Sequence, residues 1–179
     1  MTPASPSTDA VDRRLAADLR TDHAGETGAV WIYRGVLAVA RDPDLRAFAT
    51  RHLETEARHL ELIGGLCPAN ERSLLTPVWR VAGWITGAAP ALFGPSAVYQ
   101  TIEAVETFVD KHYQEQIDYL ADAGTRGDVL AILKECQADE VSHRDEAAAK
   151  AGSAGPLARA WAAIVGAGSK AAVGAARYV

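Results

Sequence analysis

The pattern Glu-x-x-His occurs twice in this chain, as Glu56-Ala57-Arg58-His59 and as Glu140-Val141-Ser142-His143. A glutamate and a histidine three residues apart lie on one face of an α-helix, so both side chains can reach the same metal ion. Each pattern follows a single glutamate in a helical stretch, Glu26 in the first case and Glu106 in the second. The two halves of the chain therefore carry the same order of possible metal ligands, a glutamate followed by a Glu-x-x-His pattern.

The spacing of these residues indicates a duplicated helical hairpin. Glu26 precedes Glu56 by 30 residues and Glu106 precedes Glu140 by 34, which leaves room for two half-helices and a short loop. If the midpoints of four antiparallel helices lie at one level, the six side chains converge. This layout is typical of ferritin-like proteins that bind two metal ions. We therefore predict an all-α, ferritin-like antiparallel four-helix bundle.

Apolar stripes at helical spacing surround these residues. Glu56 and His59 fall within a face formed by Leu45, Phe48, Leu53, Leu60 and Ile63. Glu140 and His143 likewise continue the apolar face of the fourth helix, which places Glu135, Asp139 and Glu146 nearer the solvent. The stripes indicate that the glutamates and histidines are buried.

Four buried carboxylates and two imidazoles would destabilise the fold strongly if they were unpaired. Two divalent cations balance four carboxylates in charge. A buried seam of salt bridges without metal is the alternative. Oxygen-rich sites with few imidazoles favour iron or manganese, whereas zinc more often attracts cysteine or further histidines.

The composition of the chain limits its domain organisation, its partners and the state of its cysteines. We expect a flexible N-terminus at residues 1–9 and a single domain over residues 10–179, because no run after the first ten residues resembles a domain linker. The net charge of −5 and the absence of a basic patch make nucleic acid an unexpected partner. Cys67 and Cys136 are expected to be buried free thiols, as in a reducing cytoplasm. The first residues contain no apolar stretch of the kind found in secretory signals.

Two apolar segments lie outside the four helices that carry the site. Residues 74–99 contain two tryptophans and a single charge, Arg80, which suits a membrane-interfacial anchor or the mouth of a hydrophobic channel. A helix merely packed against the bundle is the other interpretation. Residues 157–178 predict an amphipathic helix whose basic stripe, Arg159, Lys170 and Arg177, lies opposite an apolar stripe that contains Trp161. This pattern is typical of a helix on a membrane surface, and a helix that covers the outside of the bundle is the alternative.

Further motifs resemble those of one family, the demethoxyubiquinone hydroxylases, which are di-iron monooxygenases of ubiquinone biosynthesis. The most specific is Asp22-His23-Ala24-Gly25-Glu26. The resemblance extends over roughly residues 14–178 and includes both Glu-x-x-His patterns, Ala104-Val105-Glu106 and His112-Tyr113.

The resemblance implies two iron ions per chain, with manganese the less favoured metal. It implies that the metal ligands, which are also the catalytic residues, are Glu26, Glu56, His59, Glu106, Glu140 and His143. Glu56 and Glu140 are the natural bridging residues, and Glu106 rather than the nearby Glu103 is the ligand on the third helix. His112 would be a further catalytic residue that handles protons beside the metals, and Tyr113 either lies near the ring pocket or packs in the core.

The activity implied by the resemblance is hydroxylation of the benzoquinone ring of a polyprenyl-methoxy-methyl-benzoquinone or quinol with O₂, the last hydroxylation before ubiquinone. Such an enzyme needs a polyprenyl quinone, O₂, an electron donor and a membrane surface that presents the substrate. A second copy of the chain and other proteins of ubiquinone biosynthesis are further partners left open. We expect a peripheral protein on the cytoplasmic side of the inner membrane, because the sequence shows no transit peptide.

Two other functions fit the ligands alone. A ferritin-like or rubrerythrin-like protein would oxidise Fe²⁺ or scavenge peroxide without an organic substrate, although this chain lacks a rubredoxin-like cysteine quartet. A non-catalytic, membrane-peripheral interaction protein would use the polar residues for structure only.

Overall fold

The computed structural model describes residues 8–153 and 155–179, and this part of the chain is helical with no β-strand. The α-helices are α1 (Thr8–Val39), α2 (Pro43–Leu66), α3 (Thr76–Ala91), α4 (Pro95–Ala123), α5 (Gly127–Ala151) and α6 (Pro156–Ala176), and a short 3₁₀ turn spans Ala69–Glu71. The all-α prediction is confirmed. The expected flexible N-terminus falls largely on residues 1–7, which lie outside the described residues.

Two helical hairpins, α1–α2 and α4–α5, form the four-helix bundle. Asp42 starts α2 by accepting a hydrogen bond from the Leu45 amide at 2.8 Å, and Pro43 occupies the first turn, where its missing N–H costs nothing. Gly124 ends α4 in the left-handed conformation, at φ 64°, which glycine adopts without strain. These local signals place the tight turns that make neighbouring helices antiparallel.

The bundle core is divided into two apolar layers. One layer contains Tyr33, Phe48 and Ile102, and the other contains Leu19, Ile63 and Leu133 among others. Along every helix of the bundle the sequence passes from one layer to the other through buried polar residues. The polar residues therefore form a single stratum across the middle of the bundle.

Helix α3 lies unusually close to α1 because glycines face the contact. A Cβ atom on Gly83 would lie 2.3 Å from the carbonyl oxygen of Gly28, and one on Gly87 would lie 1.9 Å from that of Ile32. Side chains at these positions would push the helices apart, so glycine permits the close approach. The segment 74–99 is thus mostly a docked helix, and its last residues, 95–99, begin α4.

The outer surface of α3 and its flanking loops is apolar. Val81 and Ile85 are more than half exposed, and Leu74 and Phe93 are 83% and 84% exposed. Among the described residues, none of the helices combines the length and the apolar character that a membrane span requires.

Helix α6 packs against α4 and α1. Trp161 donates a hydrogen bond to Thr101 at 2.8 Å, and Val165 is buried, whereas Leu157 and Ile164 remain exposed. Arg177, which the sequence pattern assigned to a basic stripe, is ion-paired with the buried Asp18 of α1. This ion pair therefore holds the C-terminal end of α6 against α1, although the helical wheel places Arg177 on the polar side of α6.

Candidate metal centre

The structure brings all six sequence-predicted ligands together in the polar stratum, where each is buried. One ligand atom from each of Glu26, Glu56, His59 and Glu140 can be chosen so that all lie within 4.8 Å of one another, and the same holds for Glu56, Glu106, Glu140 and His143. Glu56 and Glu140 belong to both groups. This sharing is the arrangement expected of bridging carboxylates. Glu103, one turn from Glu106, is only half-buried and belongs to neither group.

The two shared glutamates face both histidines. His59 Nδ1 lies 3.0 Å from Glu140 Oε1 and 3.7 Å from Glu56 Oε2. His143 Nδ1 lies 3.0 Å from Glu56 Oε1 and 3.4 Å from Glu140 Oε2. Each carboxylate thus presents one oxygen to each imidazole, which is the geometry required to bridge two ions.

Several polar atoms at the centre lie close to other members of the cluster but make no hydrogen bond of acceptable geometry within the described residues. They are both carboxylate oxygens of Glu56, Oε2 of Glu26, Oε2 of Glu140 and Nδ1 of His143. Buried polar atoms are almost always paired in folded proteins. Oxygen and imidazole nitrogen are ligands that iron and manganese accept, so the unpaired atoms fit two such cations.

Burial, repulsion between the carboxylates and the nearby histidines shift the pKa values of three glutamates in the cluster. Burial raises the pKa of Glu26 and Glu106 well above the usual value, and the charges of Glu140 and Glu56 raise both further. Burial also acts to raise the pKa of Glu56, but the adjacent His143 and His59 outweigh it and lower that pKa to about 2. The cluster therefore holds protons on some carboxylates unless cations neutralise it.

Glu26 and Glu106, which each belong to only one ligand group, each accept a hydrogen bond from a tyrosine. Tyr113 donates a hydrogen bond to Glu26 Oε1, and Tyr33 donates one to Glu106 Oε1 at 3.4 Å. Both tyrosines are fully buried. The sequence reasoning left Tyr113 between pocket and core, and it did not identify Tyr33 as a partner of Glu106.

Asp139 supports His59 from outside the cluster. Its Oδ2 lies 3.1 Å from His59 Nε2, and Arg58 donates a hydrogen bond to the same oxygen at 2.5 Å. The sequence pattern placed Asp139 nearer the solvent, and its side chain is indeed partly exposed, but its carboxylate reaches inward. The position directly before Glu140 was the available signal, since it lies at the edge of the ligand-bearing face.

His112 lies outside the ligand groups, in a separate buried network. Its Nε2 is 3.2 Å from Asp22 Oδ1 and 3.0 Å from Thr21 Oγ1, and Gln116 donates a hydrogen bond to the same Asp22 oxygen at 2.7 Å. Burial acts to lower the pKa of His112, but the hydrogen bond and charge of Asp22 raise it overall.

A largely apolar cavity of about 550 Å³ adjoins the centre and lies within the size range of pockets for small organic ligands. Residues of α1, α3, α4 and α6 line it, and Glu26, Glu106, Glu140 and His112 lie on its wall. The arrangement can therefore present an apolar molecule to a metal-binding cluster and to one histidine.

The sequence of this chain is similar to those of proteins of ubiquinone biosynthesis. The family model described as ubiquinone biosynthesis protein COQ7 matches residues 13–176. The chain is similar to the 3-demethoxyubiquinol 3-hydroxylase of Rhodospirillum rubrum, with 35% identity over 175 residues, covering 96% of this chain and 80% of the relative. It is also similar to the NADPH-dependent 3-demethoxyubiquinone 3-hydroxylase, mitochondrial, of Dictyostelium discoideum, with 34% identity over 160 residues, covering 87% and 73%.

Proposed function

The chain belongs to the COQ7 family of ubiquinone biosynthesis proteins, and we propose that it hydroxylates the ring of a demethoxyubiquinone or its quinol with O₂. The family predicted from the sequence motifs is thereby confirmed. The observation that carries the proposal for this chain is the apolar cavity whose wall includes three of the six clustered metal-type ligands.

We assign the metal sites as two iron ions, with Glu26 and His59 at one, Glu106 and His143 at the other, and Glu56 and Glu140 shared. The grouping of the side chains and their unpaired buried atoms support this assignment. Iron bound there would supply the activation of O₂ that ring hydroxylation needs. The protein residues contribute by holding the ligands: Tyr113 fixes Glu26, Tyr33 fixes Glu106, and Asp139 orients His59.

The cavity is the proposed binding site for the quinone head group. Its walls are largely apolar, as expected for the binding site of an aromatic ring that carries a hydrocarbon tail. His112 Nε2 is engaged by Asp22 and Thr21, so Nδ1 is the nitrogen that remains to exchange a proton with a ring hydroxyl. This exchange is the role proposed for His112.

The exposed apolar surface of α3 is the proposed contact with the membrane. Val81, Ile85 and Phe93 are exposed there, while Gly83 and Trp79 of the same segment line the cavity. One segment thus joins a surface suited to lipid with the quinone site. We propose a peripheral location on the cytoplasmic side of the inner membrane. We also propose that NADPH is the electron donor, because the name of the Dictyostelium relative calls that protein NADPH-dependent.

Lipid analysis of cells that lack their own demethoxyubiquinone hydroxylase tests the function. Expression of this chain is expected to convert the accumulated precursor to ubiquinone, and Glu106→Gln is expected to abolish the conversion. Glu103→Gln is the matched control, since it changes a glutamate of the same helix that lies outside the ligand groups. Unconverted precursor together with rapid Fe²⁺ oxidation by the purified protein would instead support an iron-handling function.

A further inference from the structure

Helices α2 and α5 are connected by two copies of one arrangement. In each copy an arginine and the following histidine of α2 meet one carboxylate of α5. The copies consist of Arg58, His59 and Asp139, and of Arg51, His52 and Glu146. They lie two helical turns apart on both antiparallel helices. The first copy contains a proposed metal ligand, whereas the second contains none.

The two proposed histidine ligands are supported differently. His59 turns Nδ1 toward the glutamates, while Asp139 holds Nε2 at 3.1 Å. His143 also turns Nδ1 toward the glutamates. In the described part of the chain, however, no carboxylate forms an ion pair with His143 Nε2 within 4.0 Å.

His52 occupies the space beside His143. The two ring centroids are 4.0 Å apart, and the rings meet edge to face at 65°. His52 also packs against Phe48, with ring centroids 4.0 Å apart, and against Tyr33 at 5.6 Å. The residue is only 4% exposed, so its ring has little freedom to rotate.

Glu146 fixes His52 from the other side. Glu146 Oε2 lies 3.0 Å from His52 Nε2, and Arg51 binds the other oxygen at 2.8 Å. A carboxylate that accepts a hydrogen bond from one imidazole nitrogen sets the orientation of the ring. Glu146 therefore fixes His52, and His52 packs against His143. His59, by contrast, contacts the carboxylate of Asp139 directly.

We propose that His52, held by Glu146, is a positioning residue that orients His143 and sets metal affinity in that half of the centre separately from the His59 half. The proposal rests on the metal centre assigned above. Groups that orient a histidine ligand commonly change metal affinity by about 10- to 100-fold when they are removed. The two halves are consequently unequal: His59 has an anionic partner that increases its basicity, and His143 has a packed imidazole instead.

Titration of the metal-free protein with Co²⁺, followed by calorimetry and by the visible absorption of the bound ion, tests this role. Wild-type protein is expected to bind two ions with different affinities. His52→Ala is expected to weaken one of the two binding steps about tenfold or more, with the other unchanged. Glu146→Gln keeps an acceptor for His52 and should resemble wild type, whereas Glu146→Leu should resemble His52→Ala.

Leu133→Ala is the control for general loosening of the core, because Leu133 is fully buried in the apolar layer away from His52. Unchanged affinities in His52→Ala, or an equal loss in both steps that Leu133→Ala reproduces, would overturn the positioning role. Wild-type protein that binds no Co²⁺ would contradict the metal centre itself. Two ions bound by wild type with no effect of His52→Ala would contradict only the role of His52.

Discussion

Glu56 and Glu140 each turn one carboxylate oxygen toward His59 and the other toward His143. The two glutamates come from different hairpins, so the bridge between the metal positions is also a link between the two halves of the chain. Replacement of Glu56 or Glu140 should therefore affect both metal positions, whereas replacement of a glutamate that belongs to one group should affect only one position.

Glu56→Ala is expected to lower the metal content to well below one ion per chain, because both ligand groups lose a member. Glu26→Ala, which affects a single group, is expected to retain about one ion per chain. Elemental analysis after dialysis against Fe²⁺ without oxygen measures the difference, with circular dichroism to verify the helical fold. Equal metal content in the two variants would contradict the bridging assignment.

Tyr113→Phe is expected to weaken metal binding by about tenfold without loss of the fold, because Glu26 loses the hydrogen bond that orients it. Tyr33→Phe should act in the same way on Glu106. Tyr119→Phe is the control, since the ring of Tyr119 packs under Arg14 and its hydroxyl makes no hydrogen bond to a proposed ligand among the described residues. Calorimetric titration compares the three, and identical affinities throughout would show that the tyrosines serve packing alone.

Gly87→Ala is expected to reduce the free energy of unfolding by about 1–3 kcal/mol, as overpacking does elsewhere. The added methyl would lie 1.9 Å from the Ile32 carbonyl oxygen, so α3 must move away from α1. Gly174→Ala in α6 meets no atom within 4 Å and should be neutral or slightly stabilising. Thermal unfolding followed by circular dichroism distinguishes the two. A Gly87→Ala protein as stable as wild type would contradict the close docking of α3.

Val81→Ser combined with Ile85→Ser is expected to reduce binding to lipid vesicles, because both side chains are exposed on the apolar surface of α3. Glu54→Ser, an exposed change on α2, is the control and should leave binding unchanged. Sedimentation with vesicles gives the bound fraction. Undiminished binding by the double variant would place the lipid contact elsewhere.

Asp22→Asn is expected to lower the pKa of His112. Burial opposes the charged imidazole, whereas the hydrogen bond and charge of Asp22, with a smaller contribution from the charge of Asp18, raise the pKa of His112 overall. Without the charge of Asp22, the burial of the charged imidazole is offset less, and His112 loses its proton at lower pH than in wild type. The ring chemical shifts of His112, followed by NMR across pH in zinc-loaded protein, report this change. The same pKa in both proteins would exclude Asp22 as its cause.

The sequence predicted the helical bundle and the six clustered side chains because both depend on local periodicity. Glu56 and His59 share a face whatever their partners, and the duplicated order assigned one ligand set to each hairpin. Glu106 was preferred to Glu103 through a family resemblance, and the structure places Glu106 in the cluster. Helical spacing alone does not distinguish Glu103 from Glu106 as the ligand, because the two residues lie about one helical turn apart.

The roles of Asp139, His52 and Arg177 could not be obtained in the same way. Asp139 and Arg177 occupy positions that a helical wheel assigns to solvent, and His52 lies on the inner face without a motif around it. Asp139 meets His59, His52 meets Glu146, and Arg177 meets Asp18, in each case across helices distant in the chain. Periodicity within one helix therefore predicted the six clustered side chains to face inward, but not Asp139 or Arg177. Which side chains touch was decided by the register between packed helices, because contacts across helices depend on where each helix begins and how closely its neighbours approach.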